Sequence, residues 1–169
     1  AFAISSQVGI NEKELCKALS SFKGIKRRFQ LILNSKKNII IDDYAHHPNE
    51  IKAIWSALKD LFPDEEKCVI FQPHLYSRTK DFMNQFAQVL SKFDRVILLP
   101  IYPARELPID GIKSSVLLRK IKSKNVVELV KRENLLSVVS NLPEKVKVIL
   151  GAGDIGLEVE KIKKRLKLL

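Results

Sequence analysis

The sequence predicts a doubly wound α/β domain: a mostly parallel sheet with helices on both faces and an N-terminal hairpin strand. Three observations carry that expectation. Continuous β-branched runs alternate with amphipathic segments along most of the 169 residues. Early in the chain, two short apolar runs flank the polar turn Asn34–Lys37. All three histidines fall just after such runs, on strand-to-helix turns, where doubly wound domains bind their ligands.

Gly9–Phe22 reads as a helix with Asn11 as N-cap, Ile10, Leu15, Leu19 and Phe22 on one face, and Gly24 ending it. Residues 24–29 read as a linker, and Phe29–Leu33 with Asn38–Ile41 as the hairpin. The Rossmann-like repetition of strand, turn and helix starts there. Ile39–Asp42 leads to a helix opening at Pro48, with Ile51, Ile54, Trp55, Leu58 and Phe62 on one face. Cys68–Phe71 leads to one helix carrying Phe82, Phe86, Val89, Leu90 and Phe93, with Ser77 as its N-cap. Val96–Leu99 precedes a long turn and a helix near Ser115–Ile121. Val126–Leu129 precedes a helix near Glu133–Leu142, and Val146–Leu150 a terminal helix.

Composition narrows the function classes. With 46% hydrophobic residues the chain can bury a core. Two cysteines outside any CxxC, Cys16 and Cys68, support neither a disulfide framework nor a zinc site and fit a reducing compartment. No apolar stretch is long enough to span a bilayer and no leader pattern opens the chain, so it is read as cytoplasmic with no membrane partner. It opens on Ala1 rather than Met, and is read as starting within a larger protein. Thirty Lys and Arg against nineteen acidic residues give +11. The lysines are scattered and no stacking aromatics accompany them, so solvated helix faces explain the excess better than a nucleic-acid partner.

The two histidine turns hold the candidate chemistry. In Asp42–Pro48, Asp43 is placed to accept hydrogen bonds from sugar hydroxyls, and Pro48 at N1 opens a helix whose free N–H groups offer an anion site. Asp43 and His46 could instead ligate a metal, although one carboxylate and one imidazole make a poor complete set. In Gln72–Thr79, Arg78 lies in a first helical turn, against the helix dipole; it either holds a carboxylate or phosphate or is a solvated surface arginine. Ser77–Lys80 matches S-x-x-K without the companion motifs of that chemistry. Gly151–Gly156 matches G-x-G-x-x-G, but no strand can follow it to carry a ribose-binding acid. It reads as a tight turn with an N-cap that can edge the same cleft.

Together these turns resemble the carboxy-terminal domain of the Mur ligases. The resemblance is carried by Phe22–Phe29, Asp42–Glu50, Gln72–Thr79, Tyr102–Glu106 and Gly151–Ile155, over nearly the whole chain. It is strongest to the branch of the family that joins L-alanine to UDP-N-acetylmuramate. The resemblance implies that residues 1–23 are the helical tail of a central ATPase domain and that 24–169 form the nucleotide- and amino-acid-binding domain. It implies ATP as cofactor, with Mg2+ and the phosphate-binding loop supplied by the missing central domain. By motif position, Arg28 and Asp43 would contact ATP, with Tyr44 nearby. His46 and Arg78 would face L-alanine and the acyl phosphate, with His74 supporting them. Leu75 stands where the family often has arginine, which puts more weight on Arg78. A murein tripeptide recycling ligase shares the Asp42–Pro48 pattern but differs over Gln72–Thr79. A basic nucleotide- or nucleic-acid-binding module without chemistry is the reading outside the enzyme class.

Overall fold

The structure is a computed structural model that describes residues 1–22, 24–122 and 127–167. Two helices, α1 (Phe2–Gln7) and α2 (Glu12–Ser21), precede a six-stranded sheet. Along the chain follow β1 (Gln30–Asn34), β2 (Ile39–Asp43), α3 (Pro48–Leu61), β3 (Lys67–Phe71), α4 (Tyr76–Asp81), α5 (Met83–Leu90), β4 (Arg95–Leu98) and α6 (Ser114–Lys120). Then come β5 (Val127–Leu129), α7 (Arg132–Ser140), β6 (Val146–Leu150) and α8 (Val159–Leu166). The sheet order is β1-β2-β6-β3-β4-β5. All neighbours are parallel except β1 and β2, which form the expected antiparallel hairpin with a bulge between Leu31 and Leu33.

The β-branched runs explain the layers. Every residue of β2, β3 and β6 is buried, as strands covered on both faces must be. One face packs Ile51, Leu58, Phe86, Leu90 and Leu117 from α3, α5 and α6 onto Val69, Phe71 and Val148. The other packs Leu135, Val139 and Ile162 from α7 and α8 onto Ile40, Ile70, Ile97 and Ile149. The doubly wound expectation holds.

Local expectations fared unevenly. Asn11 is the N-cap of α2, its side chain accepting the Lys13 N–H at 2.9 Å, but the helix is shorter than 9–22 and α1 was not foreseen. Of its apolar face only Leu15 is buried, because α2 meets little else of this chain. Residues 76–90 form two short helices rather than one, broken at Phe82, whose ring meets His47 edge-on with centroids 4.5 Å apart. Leu75, not Ser77, holds the N-cap position of α4. Asp154 caps nothing through its side chain; it opens a 3-10 turn, Asp154–Leu157. Of the strand expected at 126–129, Val126 lies outside the described residues.

Candidate functional site

The first turn is built on β2, and its two aspartates do different work. Asp43 is 7% exposed, and its carboxylate accepts two backbone N–H groups, that of Phe29 at 2.6 Å and that of Ala45 at 2.7 Å. It thus clamps the incoming linker to the turn. Two of about four acceptor sites on a carboxylate are used, so the chemistry still fits a donor hydroxyl. Tyr44 repeats the clamp from the backbone, donating its N–H to Arg27 O at 2.9 Å.

Asp42 is 2% exposed, and its Oδ2 lies 3.3 Å from Arg27 Nε. Its Oδ1 and the Arg27 Nε are buried without a hydrogen-bond partner. Burial, partly opposed by the Arg27 charge and reinforced by Asp43, pushes its pKa up to about 6. The folded chain therefore keeps this proton where the unfolded chain has lost it. Stability falls on this account as pH rises from about 4 to about 6, by up to ~3 kcal/mol for a shift of roughly two units. Asp42→Asn should remove that slope. In urea melts the stability difference between variant and wild type should grow across this window; a difference that does not vary with pH contradicts the assignment.

The expected free N–H groups at the start of α3 are taken. The Glu50 carboxylate accepts the N–H groups of His46 at 2.7 Å and His47 at 3.0 Å, and His47 Nδ1 accepts that of Asn49 at 3.3 Å, a capping box. Partial burial opposes ionisation of Glu50, but these N–H groups and the nearby imidazoles outweigh it and hold its pKa low. The site's anion chemistry must come from side chains instead. His46 Nδ1 lies 3.0 Å from Tyr44 O. A carbonyl only accepts, so this nitrogen carries a proton, and Nε2 is the acceptor whenever the ring holds a single proton.

The second turn follows β3. Leu75 takes a left-handed φ of 73°, rare for a residue with a β-carbon. The loop at Tyr102 holds it there: Leu75 N–H donates to Tyr102 O at 2.9 Å, and Tyr102 N–H to Pro73 O at 2.8 Å. Arg78 Nη1 lies 3.3 Å from His74 Nδ1 and 3.5 Å from His74 O. Arginine only donates, so His74 Nδ1 accepts and the ring is protonated at Nε2. Burial, then the charges of Arg78 and His46, lower the His74 pKa, with Glu106 opposing, so the neutral ring is favoured. Among the described residues Arg78 forms no ion pair.

The two turns meet through a row of rings. Tyr44 and His46 lie edge to face at 5.5 Å, His46 and His74 are 6.0 Å apart, and His74 stacks on Tyr102 at 5.6 Å. His46, His74 and Arg78 thus share one cluster with Tyr44 at its edge. Arg28 is exposed, and its backbone N–H donates to Ile25 O. Among the described residues no group of three or more His, Cys, Asp or Glu could hold a metal.

The third turn stitches the others together. Gln72 Nε2 donates to Asp154 Oδ1 at 2.6 Å and its Oε1 accepts the Ile155 N–H at 3.0 Å. Arg27 donates to Gly151 O and its guanidinium sits 5.1 Å from the Tyr44 ring centroid. The three glycines of the G-x-G-x-x-G pattern serve these contacts. A β-carbon on Gly153 would lie 2.5 Å from Gln72 Oε1 and 2.6 Å from the Tyr102 ring, and one on Gly156 2.7 Å from the Arg27 guanidinium. Arg27, Tyr102 and Glu106 were missed as site-building residues, and the turn holding Asp154 edges the cleft as the sequence allowed. Tyr102 and Glu106 lie within a segment that carries the family resemblance, but no spacing tells which of its side chains reaches the second turn.

The class follows from this geometry: a doubly wound α/β domain whose strand-end turns gather imidazoles beside a clamped linker, with an arginine that forms no ion pair among the described residues. The family is shown by comparison. The Mur ligase glutamate ligase domain matches residues 27–155, and the chain belongs to that family. It is 50% identical over 166 residues to the UDP-N-acetylmuramate–L-alanine ligase of Flavobacterium psychrophilum, covering 98% of this chain and 37% of that protein. Among solved structures, a UDP-N-acetylmuramate–alanine ligase from Thermotoga maritima is similar with a TM-score of 0.78 and 27% identity, covering 99% of this chain and 36% of that one. A murein peptide ligase from Psychrobacter arcticus shares the fold at a TM-score of 0.63 and 21% identity, covering 99% of this chain and 35% of that one. The chain thus spans little more than a third of the relatives it matches.

Proposed function

We propose that this chain is the carboxy-terminal domain of an ATP-dependent ligase joining L-alanine to the carboxylate of UDP-N-acetylmuramate, in cytoplasmic synthesis of peptidoglycan precursors. The observation that carries this reading is the 50% identity to such a ligase across 98% of the chain. The reaction has two steps. ATP phosphorylates the muramate carboxylate, giving an acyl phosphate and ADP; the amine of L-alanine then attacks the acyl carbon and phosphate leaves. Mg2+ is assigned to the other domains. Residues 1–23 form the tail of the central domain, which fits the exposure of Ile4, Val8, Leu19 and Phe22.

The roles of this chain's residues are those the family motifs assign by position, and their hydrogen-bond partners support them. Arg28, Asp43 and Tyr44 bind ATP, Asp43 through the sugar. Arg78, lacking a carboxylate of its own, takes that of the amino acid. His46 Nε2 is an acceptor for the proton that the attacking amine must lose. His74 fixes Arg78. Positioning and charge are what such a domain contributes when it closes on the rest of the enzyme.

The test is phosphate release by the full-length protein with ATP and UDP-N-acetylmuramate. Release that requires L-alanine supports the reading; preference for a murein tripeptide over L-alanine would replace it with the recycling reaction. Binding to duplex DNA that weakens steeply with salt, with no phosphate release, would replace it with the non-catalytic module. The 169-residue chain alone should release none, since phosphoryl transfer needs the missing phosphate loop and metal ligands.

A further inference from the structure

The start of α4 is closed by a residue 29 positions away. Leu75, at the N-cap position, has no side-chain oxygen to satisfy the first N–H groups of the helix, and none of its own residues does so. Glu106 supplies what is missing. One carboxylate oxygen accepts the Ser77 N–H at 2.9 Å and the other accepts the Ser77 hydroxyl. With the Tyr76 N–H also contributing, these contacts keep Glu106 ionised, its pKa below the usual range. Arg78 is the next residue after Ser77, and its guanidinium points back to His74 rather than onto Glu106. The carboxylate that orders the turn is therefore hydrogen-bonded to Ser77, and among the described residues the cation beside it forms no ion pair.

On the reading proposed above, we propose that Glu106 is a positioning residue: by fixing Ser77 and the left-handed turn at Leu75, it aims Arg78 at the carboxylate of the incoming amino acid. Its oxygens are engaged by a hydroxyl and an N–H rather than by the guanidinium, although its charge still acts on Arg78 from beyond ion-pair distance. Two neighbouring contacts hold the same geometry, since Thr79 donates its N–H and its hydroxyl to Leu75 O at 3.1 and 2.7 Å. The turn should therefore loosen rather than unfold when Glu106 is lost.

The test uses full-length enzyme bearing Glu106→Gln, Glu106→Asp, Arg78→Ala and the pair Glu106→Gln with Arg78→Ala. Glu106→Gln should raise the KM for the amino acid by about tenfold or more, because a small misplacement of a positioning group is costly, with ATP KM within about twofold. Glu106→Asp should recover part of the loss. In the Arg78→Ala background, Glu106→Gln should add little, as expected of two residues acting in series. An unchanged amino-acid KM in Glu106→Gln, equal rises for ATP and amino acid, or a full additional loss in the double variant would each overturn the inference. The assay is run with a panel of amino acids, all of which carry the carboxylate. A preferred amino acid other than L-alanine would correct the functional reading and leave the Glu106 test intact, whereas an enzyme using none of them would overturn both.

Discussion

Arg78→Ala should raise the KM of the full-length enzyme for L-alanine far more than its KM for ATP. The expected loss in kcat/KM is on the order of 2–4 kcal/mol, about thirty- to a thousandfold, if the arginine–carboxylate pair is shielded from water. The sequence places this arginine in a first helical turn, against the helix dipole, but the dipole gives no reason for it. The helix has six residues, and Arg78 belongs to its last turn as much as its first. The better reason is the missing ion-pair partner: among the described residues the Arg78 guanidinium hydrogen-bonds the His74 ring and carbonyl and no carboxylate. Leu75, next to His74, brings no second cation to compensate. Arg78→Lys should rescue part of the loss, since an ammonium keeps the charge but not the two-pronged geometry. Steady-state kinetics with each substrate varied in turn decides it. A rise in ATP KM without one for L-alanine would move Arg78 to the nucleotide.

Asp43→Ala should damage the protein twice. Removing the carboxylate strands the N–H groups of Phe29 and Ala45, and Ala45 is buried. Orphaning one buried donor and one half-buried donor should cost about 2–4 kcal/mol of folding stability. The linker that meets this clamp carries left-handed φ values at Arg27 (58°) and Phe29 (44°), so it has little reason to keep its course once released. ATP KM should also rise, by about 1–3 kcal/mol for a lost sugar contact. Asp43→Asn should fall between, because its amide oxygen can still accept one N–H while its NH2 group opposes the other. Denaturant melts and ATP kinetics separate the two effects. Normal ATP kinetics in a destabilised variant would leave Asp43 a clamp only, and unchanged stability would dismiss the clamp.

The layers were legible because burial on both faces leaves an unmistakable signature: three strands in which no position tolerates water. The turns that carry chemistry were legible because three histidines at strand ends have no packing reason to cluster. What could not be read was reach. Nothing near Glu106 says that its carboxylate closes a helix 29 residues upstream, and nothing distinguishes Arg27 from Arg28 as the arginine that lies over Tyr44. The glycines of Gly151–Gly156 carried a pattern that resembles a phosphate-binding fingerprint, while in the fold they make room for Gln72, Tyr102 and Arg27. The single helix expected after Gln72 missed the break at Phe82, since its apolar spacing continues across the break.

The position of β6 has a consequence for synthesis of the protein. Its residues, 146–150, sit between β2 and β3, which have no other link within the sheet. While the ribosome is still making the segment before Val146, the chain can form only a hairpin and a separate three-stranded piece. The turns after β2 and β3 then share helix packing, such as His47 on Phe82, but no strand between them, and Gln72 has neither Leu150 nor Asp154 to hold. Pairings this distant are slow to form and leave strand edges exposed meanwhile. Nascent chains halted before residue 146 should therefore lean on chaperones, and those released with α8 complete, past Leu166, should not.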